Sequence, residues 1–465
     1  MAPAVANKLF SYPAELEADF VKTPGITFRD GTHVTSQEIW DFMTIEAPRR
    51  FPHSFDISAS HLGRMSEDVT FFSGIKRGYL TLTLKDRLLK AHAQGVPTVL
   101  IQGGQTMDAY YAAGAIPLRP GLIMGWAREM KEGLSLRQND QVGVEILEAG
   151  RNSISMEACN QIAAHSAVIQ GIVPIDLIAP YLCLRCSDMA YLVEQHRDKG
   201  HGKPLQVIDY PIEQVGKPWA VDLVAKELRK LTQKIDQLTG KVTTDEQVFA
   251  EIKRQNYGRQ LAREILDLWW STDVPPTNGT DFFGIPFLAN DFLGDPEAAI
   301  QVLEQLRDEV KERVAKGIRG TGVSDDPRRI FICGSCVGPN SHHVEHAGAI
   351  LVGRDDNFSS ISVDVEEAGD PYQAMAKAIL AFPYEQPTEA RAQWTLDMIK
   401  KSKAHGVVFM YNWGCNYQTG VARLMMDIVK KESGIPATFI EVGELGRSEA
   451  TEQSENRIEA FIEML

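Results

Sequence analysis

What this chain lacks narrows it first. Basic residues are outnumbered: 48 Lys and Arg face 62 Asp and Glu, for a net charge of −14. No basic stripe exists to displace counterions from a phosphate backbone, so nucleic-acid binding is not expected. The longest apolar stretch, Ala167 to Leu184, is broken by Gln170, Pro174, Asp176 and Pro180, and no membrane span is expected. The opening MAPAVANKLFSYPAELEADF has no basic region followed by an apolar core, so a secretory signal is not expected and a cytoplasmic address is. Phosphate-binding signatures are missing as well. GIRGTG (317–322) and GSCVG (334–338) contain glycines, but no G-x-x-x-x-G-K-S/T occurs and no dinucleotide fingerprint follows a strand. If ATP or a nicotinamide matters, another protein handles it. Cysteine is scarce, six in 465 residues, and in a cytoplasmic protein those six are reduced thiols or metal ligands rather than disulfides.

What is present is ordinary globular composition, 44% hydrophobic and 24% charged, at a length that allows two to four domains. Residues 1–78 read as an irregular lead segment that packs over something else. From residue 79 to 214 helical stretches alternate with buried strand-like runs: LKDRLLKAHAQG, VPTVLIQGG, TMDAYYAAGA, IVPIDLIAPYLC, a helix from Asp188 to Lys199, and PLQVIDYP. Residues 215–325 are charged and helical in period, interrupted by the Pro/Gly-rich TDVPPTNGTDFFGIPF. Alternation resumes over 326–465 with RRIFICGSC, GAILVGRD, HGVVFMYNWGC and GIPATFIEVG separated by helices. Such alternation indicates βαβ units and parallel sheets, so the expected fold is α/β: two lobes joined by a helical segment.

The placement of the cysteines is informative. Cys183 and Cys186 follow IDLIAPYL, Cys333 and Cys336 follow RRIFI, and Cys415 follows VVFMYNWG. Cys159 sits early in a helical pattern, where amides at a helix N-terminus favour a thiolate. In open parallel sheets ligands bind beyond the carboxyl ends of the strands, so all six could face one interlobe cleft, as an iron–sulfur cluster would need. Other readings exist. A free cysteine is commonly a small buried hydrophobe. A zinc ribbon has two C-x-x-C pairs, but about 15–20 residues apart, far closer than these. A thioredoxin-like pair would leave four cysteines unexplained.

HHVEH (342–346) places His342 and His346 four apart on an expected helix, which is metal-ligand spacing, although not the H-E-x-x-H motif. A solvated or supporting role is the plainer reading. If the helix faces the cleft, His342 and His343 are the candidate proton donors. Arg259 and Arg263 share one face of a helix, read as a surface ion-pair helix rather than an anion site.

Taken in order, several passages resemble the 2-hydroxyacyl-CoA dehydratase / benzoyl-CoA reductase superfamily: TMDAYYAAGAIPLRPG with its A-A-G-x-x-P core, MEACNQ, CLRCSDM, HGVVFMYNWGCNYQTG, GIPATFIEVG and EQSENRIEAFIEML. The resemblance covers roughly residues 80–465. It implies Rossmann-like (flavodoxin-like) lobes with an iron–sulfur cluster between them, and Cys159, Cys186 and Cys415 match the three cysteines that hold one [4Fe–4S] cluster. It also implies a separate ATP-hydrolysing [4Fe–4S] activator that supplies low-potential electrons. Cys183, Cys333 and Cys336 are additional to that set. All six together are similar to the ligands of double-cubane [8Fe–9S] members. The expected function is therefore an iron–sulfur reductase acting on a small molecule, as a homodimer or with a related second subunit. The alternatives are a 2-hydroxyacyl-CoA dehydratase or arene-CoA reductase subunit acting on an acyl-CoA with one [4Fe–4S] cluster, and a non-catalytic electron-transfer protein.

Overall fold

The computed structural model describes residues 11–55, 70–102, 106–119, 129–131, 133, 145, 148–150, 152–153, 162, 165–166, 173–182, 187–199, 202–209, 211, 214–334, 341–412, 416–442 and 448–465. The lead segment brings β1 (Ile26–Thr27) and β2 (His33–Val34), an antiparallel ribbon, and short helical turns between Ser36 and Arg50. Then follow α1 (Phe72–Leu82), α2 (Leu84–Ala93), β3 (Thr98–Gln102), α3 (Asp108–Ala112), β4 (Ile116–Leu118), β5 (Leu177–Leu182), α4 (Ser187–Lys199) and β6 (Ile208–Asp209). Four helices come next, α5 (Pro218–Thr239), α6 (Asp245–Ser271), α7 (Gly279–Asp291) and α8 (Pro296–Lys316). The remainder is β7 (Arg328–Gly334), α9 (Ser341–His346), β8 (Ala349–Arg354), α10 (Asp355–Ser359), α11 (Pro371–Ala381), α12 (Thr388–Lys401), β9 (Gly406–Asn412), α13 (Asn416–Ser433), β10 (Ala437–Val442) and α14 (Ser448–Glu463).

The α/β expectation holds. β3–β6 form one four-stranded parallel sheet and β7–β10 another, with α5–α8 between them in the chain. Two-residue alternation decides which way each strand's side chains face. In β7, Phe331 and Cys333 belong to the main core while Ile330 and Ile332 join a second cluster with Val344, Ile458 and Phe461 on the other side of the sheet. The register between β7 and β8 shifts after Ile330, leaving Val352 as an extra residue on β8. Its carbonyl accepts the indole N–H of Trp270 at 2.9 Å, so the group freed by the irregularity is satisfied from the helical layer. Among the described residues no helix is long and apolar enough to cross a membrane.

The lead segment lies on the helical layer. Phe20, Ile39, Trp40, Phe51 and Phe55 are buried in the main core. Thr27 exchanges hydrogen bonds with the Gln301 amide at 3.0 and 2.7 Å, and Arg29 reaches buried Glu251 at 2.5 Å. The Lys76 ammonium, inside this junction, donates to Gln305 at 2.6 Å and to the Pro24 carbonyl. Helix α1 runs through residue 78, where the lead segment was expected to end.

The Pro/Gly-rich stretch expected as a break is one only as far as Asn278; from Gly279 it is helix, with Pro286 inside it. Asn278 caps it by accepting the Asp281 N–H at 2.9 Å, and Glu345 takes the Gly279 N–H at 2.5 Å. Phe282, Ile285 and Leu288 are fully buried. Burial along this face outweighs the loss of one amide donor at Pro286.

Trp269 anchors this layer: its ring centroid lies 4.5 Å from that of Phe282 and its N–H donates to Thr277 at 3.0 Å. Replacing Trp269 by Ala opens a large cavity and removes one of the two hydrogen bonds of the Thr277 hydroxyl, which keeps its bond to the Asn278 carbonyl at 3.1 Å. Unfolding free energy should therefore fall by about 3–5 kcal/mol, read as an earlier urea midpoint.

Candidate functional site

Both sheets have the same strand order. Counting strands within each lobe, β4-β3-β5-β6 and β8-β7-β9-β10 are each 2-1-3-4. In such a sheet the chain moves to one side of its first strand and then crosses to the other. The two crossovers leave a crevice at the carboxyl ends of strands 1 and 3, where ligands bind. Those strands are β3 and β5 in the first lobe, β7 and β9 in the second. Cys183 directly follows β5, and Cys183–Cys186 make up the whole connection to α4. Cys336 lies in the connection from β7 to α9, and Cys415 in the three residues from β9 to α13. Cys159 belongs to the long segment joining β4 to β5. These five cysteines are themselves outside the described residues.

Cys333 is described, and it lies inside β7 rather than beyond it, opposite Phe409 of β9. The strand runs past the apolar RRIFI because its pairing with β9 continues, Cys333 opposite Phe409 and Gly334 opposite Met410. Cys333 is wholly buried. Burial pushes its thiol up; Asp355 adds to this and the Arg391 guanidinium opposes it. Gly334 ends the strand at φ +132°, and an added Cβ would stand 2.0 Å from the Met410 carbonyl oxygen, so only glycine fits. Thiols are the donors iron–sulfur clusters take, and a buried thiol at the end of a switch-point strand fits that use. Among the described residues no three His, Cys, Asp or Glu side chains gather into a metal-binding group.

The histidines fall as follows. His342 lies in α9, its side chain outside what is described. His343 Nε2 is 3.2 Å from Glu459 Oε1 on α14. Glu345, between them and His346, is buried and serves as the α7 acceptor. The two arginines of the helical layer part company. Arg263 forks onto Asp364 at 2.7 and 3.0 Å near the surface, as a surface ion pair should. Arg259 is buried, bonding Asn256 at 2.6 Å and Asp108 at 3.4 Å.

Asp108 opens α3, in the A-A-G segment beyond β3, and it heads a buried polar group that sequence reasoning did not single out. Burial raises its carboxyl and Arg259 opposes that. Two residues on, the Tyr110 hydroxyl is also raised by burial, with Tyr181 of β5 beside it. Tyr111 donates to the Asp291 carbonyl at 3.2 Å, and Arg119 Nε lies 3.2 Å from the Asp291 carboxylate. The sequence hint was Asp108 and Arg119 bracketing one short segment, TMDAYYAAGAIPLR; their partners lie far along the chain.

Two open parallel four-stranded sheets of one strand order, with helices around them, define the class of protein as α/β. Comparison with known proteins gives the family. Residues 108–465 match the model of the 2-hydroxyglutaryl-CoA dehydratase, D-component, and the chain belongs to that family. The match starts some way beyond residue 80, where the resemblance was expected to begin. The chain is also similar to a subunit of the benzoyl-CoA reductase of Thauera aromatica, 24% identical over 197 residues, which is 39% of this chain and 48% of that protein. It thus spans about half the length of that curated relative.

Asp291 makes a pH test of the first-lobe polar group. Burial raises its carboxyl from 3.8 to about 6, with Arg119 opposing. A carboxyl that holds its proton more tightly when folded loses stability as pH rises through that window, and the penalty is complete above the folded value. Asn does not titrate, so Asp291→Asn should gain on the parent by about 2–3 kcal/mol between pH 4 and pH 6.5, then stay level. A difference independent of pH across that range would mean that Arg119 keeps the acid ionised throughout.

Proposed function

We propose that this chain is an iron–sulfur reductase component of its superfamily that holds a double-cubane [8Fe–9S] cluster on Cys159, Cys183, Cys186, Cys333, Cys336 and Cys415 and reduces a small molecule. What supports it most is the coincidence of family membership with two C-x-x-C pairs, each issuing from a strand that borders a switch point. When bound, such a cluster supplies electrons of low potential to a substrate. The chain's part is to present six thiolates, to lose their protons as iron binds, and to exclude water from the strand ends. The missing phosphate loop fits electrons delivered by a separate ATP-hydrolysing [4Fe–4S] activator. The assembly is a homodimer, or this chain with a related second subunit. His342 and His343 are the proposed proton donors, on the helix that follows the Cys336 connection. Residues 79–214 and 326–465 are proposed as the lobes, 215–325 as the helical linker and 1–78 as the lead segment, working in the cytoplasm.

A second reading follows from the names of the relatives. A family called 2-hydroxyglutaryl-CoA dehydratase, D-component, and a relative named as part of a benzoyl-CoA reductase favour an acyl-CoA substrate. One [4Fe–4S] cluster would then sit on Cys159, Cys186 and Cys415, in a subunit paired with a different one.

Iron and acid-labile sulfide counts on anaerobically purified protein separate these readings. About eight irons per chain supports the double cubane, about four the second reading, and none defeats both. Cys333→Ser and Cys336→Ser should each lose much of the iron. Unchanged iron in both variants would exclude the six-thiolate arrangement.

A further inference from the structure

The backbone of Gly334, between Cys333 and Cys336, is bonded at its N–H and at its carbonyl by side chains of two other elements, with a third residue behind them. Its N–H donates to Asp355 Oδ1 at 3.0 Å, from the first residue of α10. Its carbonyl accepts the Tyr384 hydroxyl at 2.8 Å, from the turn after α11. Arg391 of α12 closes the ring, donating from Nε at 3.1 Å and Nη2 at 2.5 Å to Asp355 Oδ2. Its guanidinium carbon lies 3.8 Å from the Tyr384 ring centroid. The ion pair is dry, with side chains 0% and 1% exposed.

Holding a strand end does not require this chemistry. A neutral acceptor would cap the Gly334 N–H, and an apolar side chain would fill the space of Arg391. A buried ion pair is rarely more stable than a well-packed apolar replacement, because desolvation offsets its attraction. What a neutral pair cannot supply is two opposite full charges beside Cys333, where Asp355 and Arg391 are the main charged groups acting on the thiol, with Asp356 adding to Asp355. Groups just behind a metal ligand orient it and set the electrostatics of what it binds.

We propose that Asp355, Arg391 and Tyr384 are positioning residues for the proposed cluster: they fix the peptide that carries the Cys333–Cys336 pair and, through the balance of the Asp355 and Arg391 charges, set the reduction potential there. This rests on the six-cysteine reading.

The test is an EPR-monitored redox titration of the anaerobic full-length protein, with iron content measured first. Asp355→Asn keeps an acceptor for Gly334 but leaves Arg391 unbalanced, so the potential should move positive. Arg391→Gln leaves the carboxylate unbalanced, so it should move negative. Arg391→Lys should recover most of that shift, and Tyr384→Phe, which alters no charge, should change the line shape more than the potential. A merely structural role gives shifts of one sign, or none, in iron-replete Asp355→Asn and Arg391→Gln, and either result overturns the inference. Should Arg391→Gln fail to fold, Asp355→Asn decides alone: a positive shift sustains the inference, and an unmoved or negative potential overturns it. Wild-type protein without iron would overturn the cluster reading together with it. Iron-replete wild-type protein with unmoved variants overturns this inference only.

Discussion

A parallel strand can be followed by its neighbour only through a crossover, and that one constraint arranges nearly everything of chemical interest in this chain. Within each sheet every strand delivers its chain at the same edge, and β3, β5, β7, β8 and β9 are each followed in the chain by a described helix. The strands themselves have no room for chemistry. β7 is packed on both faces, Phe331 toward the main core and Ile330 toward α14, and β8 is buried from end to end. Room for ligating groups is therefore greatest at the last residue or two of a strand or just past it. Repetition of the 2-1-3-4 order makes the constraint act twice, so the two C-x-x-C pairs come from two different sheets, one after the third strand of its sheet and one from the first strand of the other, rather than from one continuous motif.

Buried charge follows the same geography. Outside the edges, ionised groups in the core are costly unless paired. Three of the dry pairs lie at an element's start: Asp108 at the head of α3, Asp281 in the first turn of α7 beside Arg77, and Asp355 at the head of α10. Each acid sits where a helix leaves its amides unsatisfied, which favours negative charge there, and each draws its arginine from a different part of the chain. The helical layer benefits most directly. Arg259 joins α6 to the first lobe through Asp108, and Trp270 joins it to the second through the Val352 carbonyl. The layer is thereby bonded to both sheets.

How much of this could be read from the sequence depended on range. Period and punctuation carried the strands, because RRIFI, GAILV and VVFMY are apolar runs of strand length between helical stretches, and they also carried α5, α6 and α8. Local composition misled at TDVPPTNGTDFFGIPF, where Gly and Pro signal a break but the burial of Phe282 and Leu288 imposes a helix. It also stopped β7 too early, since alternation of apolar residues says nothing about how far backbone pairing continues. Arg259 and Arg263 read alike because they share a helical face. Their difference lies in partners: Asp364 near the surface for one, and for the other Asp108, 151 residues away in the core. Asp355, Tyr384 and Arg391 gave no signal, because they meet only around the backbone of Gly334.

That meeting separates the two cysteine pairs physically. Cys183 and Cys186 lie wholly within a connection, and Cys183 is one residue beyond the β5 ladder. Cys333 is inside its ladder, opposite Phe409, with the next peptide held by two side chains and a glycine that nothing else can replace. A donor fixed in this way has already lost its conformational freedom in folding, so ligation there costs little further ordering. The rigid position is also the less forgiving, because it cannot move to suit a ligand of another size.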